Sequence, residues 1–474
     1  MYICYHHILV RTAHCAINPE RRSISVQQEK SRMLGEMPMA KLVPTVSVPI
    51  MISMLVQALY NIVDGIFVAK YSPEALGAVN LAMPLQMLMI ALSTGMGTGI
   101  NSLISRRLGE KNPAEARLAA KNGLFIEACG WLLFVFIGLF TAKPFMASFT
   151  DDAALITQGT TYLTIVCTLS FGLFMSICME RMLQASGNTK ASMLTQMTGA
   201  LTNIILDPIF IFVFDMGVAG AAIATVIGQW VGMMLGFILN QKTNPELKLC
   251  WDRFRPQMQI LKPIFVVGLP STVMQAISSL LNVLMNALLM SFSATAMNVL
   301  GVYFKLQSFV FMPVFGLSNG MVPIVGYNYG ARSRKRVYEC IRVCIILAAV
   351  IMLLGMLAFM VMPDKLLGLF DSSEDGELIA LGTVALRTIS ICFLPAAVGI
   401  TISTVFQAVG KGMYSLIMSL SRQLVVLLPA AWLLSKVSLN AVWWAFPIAE
   451  IVSLFLSLIL FARCDRKLLR KLDA

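Results

Sequence analysis

The stretch Gly95-Met96-Gly97-Thr98-Gly99-Ile100-Asn101-Ser102-Leu103-Ile104-Ser105-Arg106-Arg107-Leu108-Gly109 has a counterpart in Gly316-Leu317-Ser318-Asn319-Gly320-Met321-Val322-Pro323-Ile324-Val325-Gly326-Tyr327-Asn328-Tyr329-Gly330. A constant spacing of 221 residues pairs Gly95 with Gly316, Gly99 with Gly320 and Gly109 with Gly330. The same spacing pairs Asn61 with Asn282, Pro208 with Pro429, Ala224 with Ala445 and Gln229 with Glu450. Gly109 and Gly330 are each followed at once by a charged, basic loop. The chain is therefore an internal duplication, and both copies are strongly apolar. Membrane chains made of two similar bundles build their site between or within the halves and move one against the other. Transport is the first function this pattern implies.

Composition supports a membrane chain. Of 474 residues, 58% are hydrophobic and 13% charged, more apolar surface than a soluble protein of this size could hide. Twelve apolar stretches are long enough to span: 41–70, 75–105, 116–142, 155–182, 190–214, 217–240, 259–290, 295–327, 336–361, 378–406, 411–434 and 438–463. The net charge of +12 does not point to nucleic acid, because Lys and Arg concentrate in short loops on one side of the spans. Those loops hold Arg106, Arg107, Lys111 and Arg117; Arg181 and Lys190; Lys242, Lys248, Arg253 and Arg255; Arg332, Arg334, Lys335 and Arg336; Lys411; and the run from Arg463 to Lys471. The opposite side carries Asp151-Asp152 and the acidic run Asp371 to Glu377. This asymmetry predicts a cell (inner, cytoplasmic) membrane protein with both termini in the cytoplasm.

The expected fold is all-α and integral to the membrane: twelve transmembrane helices in two pseudo-symmetric six-helix lobes. The repeat is parallel, with its pseudo-axis along the membrane normal. The expected domains are an N-terminal extension over 1–36, an amino-terminal lobe over 37–240, a cytoplasmic linker over 241–258, a carboxyl-terminal lobe over 259–463 and a basic tail over 464–474. Residues 1–32 are polar and contain all three histidines, His6, His7 and His14. We read them as a disordered tail or as an over-extended gene start, translation beginning at Met33, since Gln28-Glu29-Lys30 can be encoded by a purine-rich ribosome-binding sequence. The ten cysteines are scattered and suggest neither a disulfide framework nor a metal site. The Gly-x-x-x-x-Gly-Lys-Ser/Thr segment of a nucleotide-driven pump is absent, as are His-Glu-x-x-His and Gly-x-Ser-x-Gly, so no enzyme is expected.

With no histidine in the spans, proton chemistry there must use carboxylates. A charged side chain at mid-bilayer costs about 2.5–3.5 kcal/mol on insertion scales, so each one needs a reason. The first half carries Asp64, Glu127, Glu180 and Asp207; the second carries Lys305, Arg387, Arg422 and Glu450. Asp207 lies nine residues before the turn near Met216 and Thr225 nine residues after it, which puts both about 13 Å below that turn at about 1.5 Å per residue. Asp64 falls at a similar depth before Tyr71-Ser72-Pro73, and Tyr162 reaches the same level. Asn203 and Tyr60 lie one turn from Asp207 and Asp64 on the same helix faces. This layer, with Asn61 and Glu180 as supporting candidates, suits either of two uses. Its hard oxygens can hold a small cation such as Na+ at Asp64, Asn203, Asp207 and Thr225. Equally, two close carboxylates in low dielectric cannot both ionise cheaply, so one can keep and release a proton. In the second half, Arg422 and Glu450 flank the last turn and can pair, and with Lys305 and Arg387 they make a possible second polar site. Pro49 is a candidate hinge.

The run Gln57-Ala58-Leu59-Tyr60-Asn61-Ile62-Val63-Asp64-Gly65-Ile66-Phe67-Val68 resembles the first-span motif of multidrug and toxic compound extrusion (MATE) transporters. Asn203-Ile204-Ile205-Leu206-Asp207-Pro208-Ile209-Phe210 followed by Gly217-Val218-Ala219-Gly220-Ala221-Ala222 resembles their fifth and sixth spans. Arg106-Arg107-Leu108-Gly109, Leu183-Gln184-Ala185-Ser186-Gly187 and Phe406-Gln407-Ala408-Val409-Gly410 extend the resemblance over about residues 37–463. It implies a V of two six-helix lobes, no cofactor, and export of organic cations and other amphiphiles against a proton or sodium gradient. It further implies that Asp64, Asn203, Asp207 and Thr225 form the cation site, with Tyr60 and Tyr162 beside it and Pro49 where the first helix bends. Spans seven and ten contain no acidic residue, so the resemblance is to the DinF-like and MepA-like branches, with coupling in the amino lobe. The implied partners are small amphiphilic or cationic substrates and membrane lipids, and the chain is expected to be a monomer. A lipid-linked oligosaccharide flippase of the same superfamily is the alternative, its pyrophosphate met by the basic second lobe. A membrane enzyme or receptor would show a catalytic constellation or a signalling domain, and neither is visible.

Overall fold

The computed structural model describes residues 33–249, 254–370 and 377–472. Among these residues the regular structure is helical throughout. Ten helices are single spans: Met39–Tyr71, Pro73–Gly109, Pro113–Phe140, Thr189–Val213, Gly217–Thr243, Met258–Met290, Ala294–Gly330, Arg334–Val361, Gly412–Ser435 and Leu439–Lys471. Two more spans are bent pairs, Ala153–Thr168 with Phe171–Ala185 and Glu377–Ser390 with Phe393–Ala408. Numbered in chain order, these are spans one to twelve, the bent pairs being spans four and ten. Residues 1–32, including the three histidines, lie outside the described residues, which begin at Met33, the expected start.

The two breaks are features the hydropathy pattern does not reveal, since the apolar run continues through each. They bend their spans by 45° and 49° and fall at equivalent places, Leu169-Ser170 and Ile391-Cys392. A break frees carbonyls that must find donors in an apolar setting. In the amino lobe two indoles supply them: Trp131 Nε1 donates to the Thr168 carbonyl at 3.0 Å and Trp230 Nε1 to that of Leu169 at 3.3 Å. Both spans then end in the same way. Gly187 and Gly410 adopt φ +80°, their N–H groups bond to Gln184 and Gln407, and the next N–H groups reach Leu183 and Phe406. That is a Schellman ending, which needs a residue free of a Cβ.

The repeated glycines explain the seam between the lobes. A Cβ on Gly95 would lie 2.2 Å from Thr272 Oγ1, one on Gly99 2.3 Å from the Ile264 carbonyl, and one on Gly109 2.0 Å from the Tyr327 carbonyl. In return, a Cβ on Gly316 would lie 2.6 Å from the Met51 backbone, one on Gly320 2.3 Å from Ser47 Oγ, and one on Gly330 2.1 Å from the Arg106 carbonyl. All six contacts cross from one lobe to the other. Spans one and eight, and two and seven, thus pack backbone to backbone at the end that bears the basic loops. Ser102 Oγ seals the same end by donating to the Gln407 and Ala408 carbonyls at 2.7 and 3.1 Å. Met33–Met37, counted largely with the N-terminal extension by sequence, is instead anchored here. Its Leu34 carbonyl accepts from Asn328 Nδ2 at 2.9 Å and from Arg336 at 3.1 Å.

Candidate functional site

Spans one, two, four, five and six converge in the amino lobe around Asp64 and Asp207. Asp207 is fully buried, and Asn203, Thr225 and Tyr162 nearly so. The two carboxyls are close enough to interact electrostatically, with Tyr60 and Tyr162 close by. Asn203 Nδ2 donates to Thr225 Oγ1 at 3.2 Å, across the turn from which the common depth of Asp207 and Thr225 is read. Tyr162 shares a hydrogen bond of 3.2 Å with Gln86 of span two. Directly after Asp207, Pro208 supplies no N–H to the helix ladder, and residues Ile209–Val213 form a π-helical turn. The layer therefore sits where the helix is locally widest and least regular.

Four oxygens of this layer meet no protein donor: Asp64 Oδ1, both carboxylate oxygens of Asp207 and Asn203 Oδ1. Buried acceptors left in this way are costly unless something positive joins them. The arrangement can take up a proton or a small cation.

Of the supporting candidates, Asn61 lies on an exposed face of span one. Glu180 is buried elsewhere in the lobe, where Ser176 Oγ reaches it at 3.4 Å and Gln196 Nε2 at 3.5 Å. Glu127 accepts from Ser93 at 2.8 Å. Beside these two acids stands Arg181, which the sequence reading placed among the loop cations. It is instead half-buried on span four. Its guanidinium donates to Gln184 Oε1 at 2.9 Å and, across the lobes, to Asn319 Oδ1 at 3.3 Å. The adjacent pair Glu180-Arg181 within an apolar run was the available signal. Pro49 is buried inside span one, which runs as one helix from Met39 to Tyr71.

Between the lobes lies a cavity of about 380 Å³, walled by both lobes: Met54, Thr94, Thr98 and Arg181 on one side, and Gln275, Phe315, Gln423 and Glu450 on the other. Thr94 Oγ1 meets Gln275 Oε1 across it at 2.9 Å. Arg422 and Glu450 form an ion pair of 2.7 Å at its edge. The four second-lobe charges do not make one site. Lys305 is exposed and stacks over the Phe370 ring at 5.8 Å; Arg387 is exposed and donates to the Met360 carbonyl at 3.3 Å. Sequence groups these four only as charges within apolar spans of one half, and it does not give helix azimuth. Gln423, which the sequence reading passed over as neutral, is 3% exposed and holds Ser278 and Ser419 with its amide nitrogen at 3.2 and 3.0 Å.

The fold, the duplicated seam and the cavity define a two-lobed membrane transporter. The MatE family model matches the chain over residues 49–209 and again over 270–433, two matches that begin 221 residues apart. The chain belongs to that family. It is 24% identical over 444 residues to the multidrug export protein MepA of Staphylococcus aureus (strain MSSA476), covering 93% of this chain and 98% of that one. It is 26% identical over 414 residues to the MepA protein of Staphylococcus haemolyticus (strain JCSC1435), covering 87% and 91%. Among solved structures it resembles an outward-facing multidrug resistance MATE family transporter, with TM-score 0.86, 26% identity and coverage of 94% and 98%. A MATE transporter in complex with MaL6 gives TM-score 0.88 at 26% identity, covering 94% and 99%. The chain is a membrane transporter of the MATE family.

Proposed function

We propose that this transporter is a secondary antiporter, exporting small amphiphiles across the cytoplasmic membrane in exchange for H+ or Na+, with coupling at Asp64 and Asp207. Its basic loops and both termini face the cytoplasm. The observation that carries the proposal is the cluster of donor-free oxygens on Asp64, Asp207 and Asn203. Such a cluster is stable only when a proton or cation offsets the charge, so its occupancy and the shape of the lobe are linked.

In the state described, the lobes are closed at the basic end and the cavity lies beyond that seal. Entry of an ion from the far side neutralises the layer and lets spans one and five close on each other. Span one lines both the ion layer, through Asp64, and the cavity, through Met54, so closure of the layer changes the cavity and releases drug. Pro49, between the seam residues Ser47 and Met51, gives span one a point at which to bend. Reopening at the basic end then frees the ion to the cytoplasm.

The test is ethidium efflux from vesicles, with a sodium gradient and a pH gradient imposed separately on wild type, Asp64→Asn and Asp207→Asn. One gradient drives efflux in wild type and neither does so in the variants. Full gradient-driven efflux in Asp207→Asn refutes the proposal.

A further inference from the structure

We infer that the amphiphile carried by this protein bears an anionic oxygen group, a carboxylate, sulfonate or phosphate, received in the interlobe cavity by Arg422 with Arg181 opposite. The inference deepens the antiport reading and relies on it for the direction of transport.

The charges lining the cavity are Arg181, Arg422 and Glu450. Glu450 is the sole carboxylate among them and is already engaged by Arg422 at 2.7 Å. Its side chain is 12% exposed against 29% for Arg422, so the cation of the pair is the member more open to the cavity. An entering organic cation finds no free carboxylate there. An entering anion finds guanidinium N–H groups not used by Glu450, and a guanidinium fork suits planar oxygen anions.

The neutral groups are set for the same ligand. Gln423 Nε2 donates to Ser278 and Ser419; Ser278 passes its own O–H to the Met274 carbonyl at 3.1 Å, whereas the Ser419 hydroxyl keeps its O–H to donate into the cavity. Gln423 Oε1 is buried and meets no protein donor, which leaves one acceptor for a substrate N–H or O–H. Arg422 and Gln423 both lie on the π-helical turn Ser421–Leu427, a widened segment of the kind often found at binding sites. Across the cavity Arg181 spends one nitrogen on the neutral oxygens of Gln184 and Asn319, while its buried Nε has no acceptor. Glu127 and Glu180 lie nearby and balance part of its charge. Arg422 is therefore the primary anchor and Arg181 the secondary one. Phe315 and Met274 offer the apolar wall for the body of the molecule.

The experiment uses the full chain in nanodiscs and two tritiated probes of opposite charge, taurocholate and tetraphenylphosphonium, read by scintillation proximity. Taurocholate binds saturably to wild type. Arg422→Gln weakens it about tenfold or more, as expected for loss of a charge-assisted contact, and Glu450→Gln tightens it severalfold by freeing the arginine. Tetraphenylphosphonium shifts the opposite way in both. Absence of saturable taurocholate binding, or affinities within twofold of wild type in both variants, overturns the inference. Should Arg422→Gln fail to fold, Glu450→Gln and Arg181→Gln decide by the same criterion, the latter weakening taurocholate. Gradient-driven ethidium efflux on the same preparations separates the two readings. Efflux without taurocholate binding sinks the head-group inference alone. Taurocholate binding without gradient-driven efflux of either taurocholate or ethidium supports it and sinks the antiport reading alone.

Discussion

At the level where the amino lobe holds Asp64, Asn203, Asp207 and Thr225, the carboxyl lobe holds Met285, Leu424, Leu428 and Phe446, the residues 221 positions further on. Met285 and Phe446 are buried in a single apolar cluster that runs through that lobe, with Leu428 packed against it. The amino lobe's core is instead divided into two clusters, one near the basic end and one near the far side. The duplication has kept the glycines of the seam and the breaks of spans four and ten, which are matters of geometry. It has not kept the charges. On the antiport mechanism proposed here, both lobes need the geometry to rock against each other, but one ion layer is enough to drive the motion, and each buried charge costs about 2.5–3.5 kcal/mol on insertion scales. In that reading the carboxyl lobe is the packed support and the amino lobe the part that responds.

Removal of the responding part breaks the contrast most severely. Asp207→Asn abolishes gradient-coupled efflux in vesicles. If the coupling ion is H+, wild-type efflux rises as the far-side pH falls, because low pH loads the carboxylate pair, whereas Asp64→Asn is flat across the same range. The equivalent change in the supporting lobe has another signature. Met285→Ala opens a cavity in a full core and costs about 2–5 kcal/mol, seen as a lower melting temperature, while ions exchanged per substrate stay the same. Altered stoichiometry there would erase the distinction between the lobes. Gly99→Ala and Gly320→Ala address what the lobes share. Each sets a Cβ 2.3 Å from an atom of the other lobe and disfavours the sealed state by about 1–3 kcal/mol. Labelling of Ser105→Cys by a maleimide applied from the basic side then speeds up, equally for the two variants if the seam is symmetric. The smallest effect is expected from Trp230→Phe, which strips the donor from the Leu169 carbonyl and costs about 0.5–1.5 kcal/mol in thermal unfolding.

Much of this was legible in the chain. Hydropathy located the twelve spans within a few residues, because a bilayer demands apolar runs of set length. The 221-residue spacing announced the duplication, and the glycines carrying it proved to be the lobe contacts. The depth of Asp207 and Thr225 below Met216 anticipated the meeting of Asn203 with Thr225. What was not legible depends on azimuth and on bends. Asn61 and Asp64 are three residues apart, yet one is exposed and the other turns to Asp207. Lys305 and Arg387 fall within apolar spans of the same half as Arg422 and Glu450 but are exposed and do not line the cavity. The breaks and π-helical turns leave no mark in hydropathy, and Arg181 looked like a loop residue because its span is bent.

The central claim is that the amino-lobe carboxylates alone exchange an ion for substrate. The most direct measurement is the number of ions displaced when substrate binds to purified protein: protons by a pH indicator in weak buffer, and sodium by a tracer ion. The account predicts that wild type releases one of the two ions and that Asp64→Asn/Asp207→Asn releases neither, while Arg422→Gln/Glu450→Gln still releases it when saturated with substrate. Release that survives loss of both aspartates, or disappears with the carboxyl-lobe pair, would contradict it.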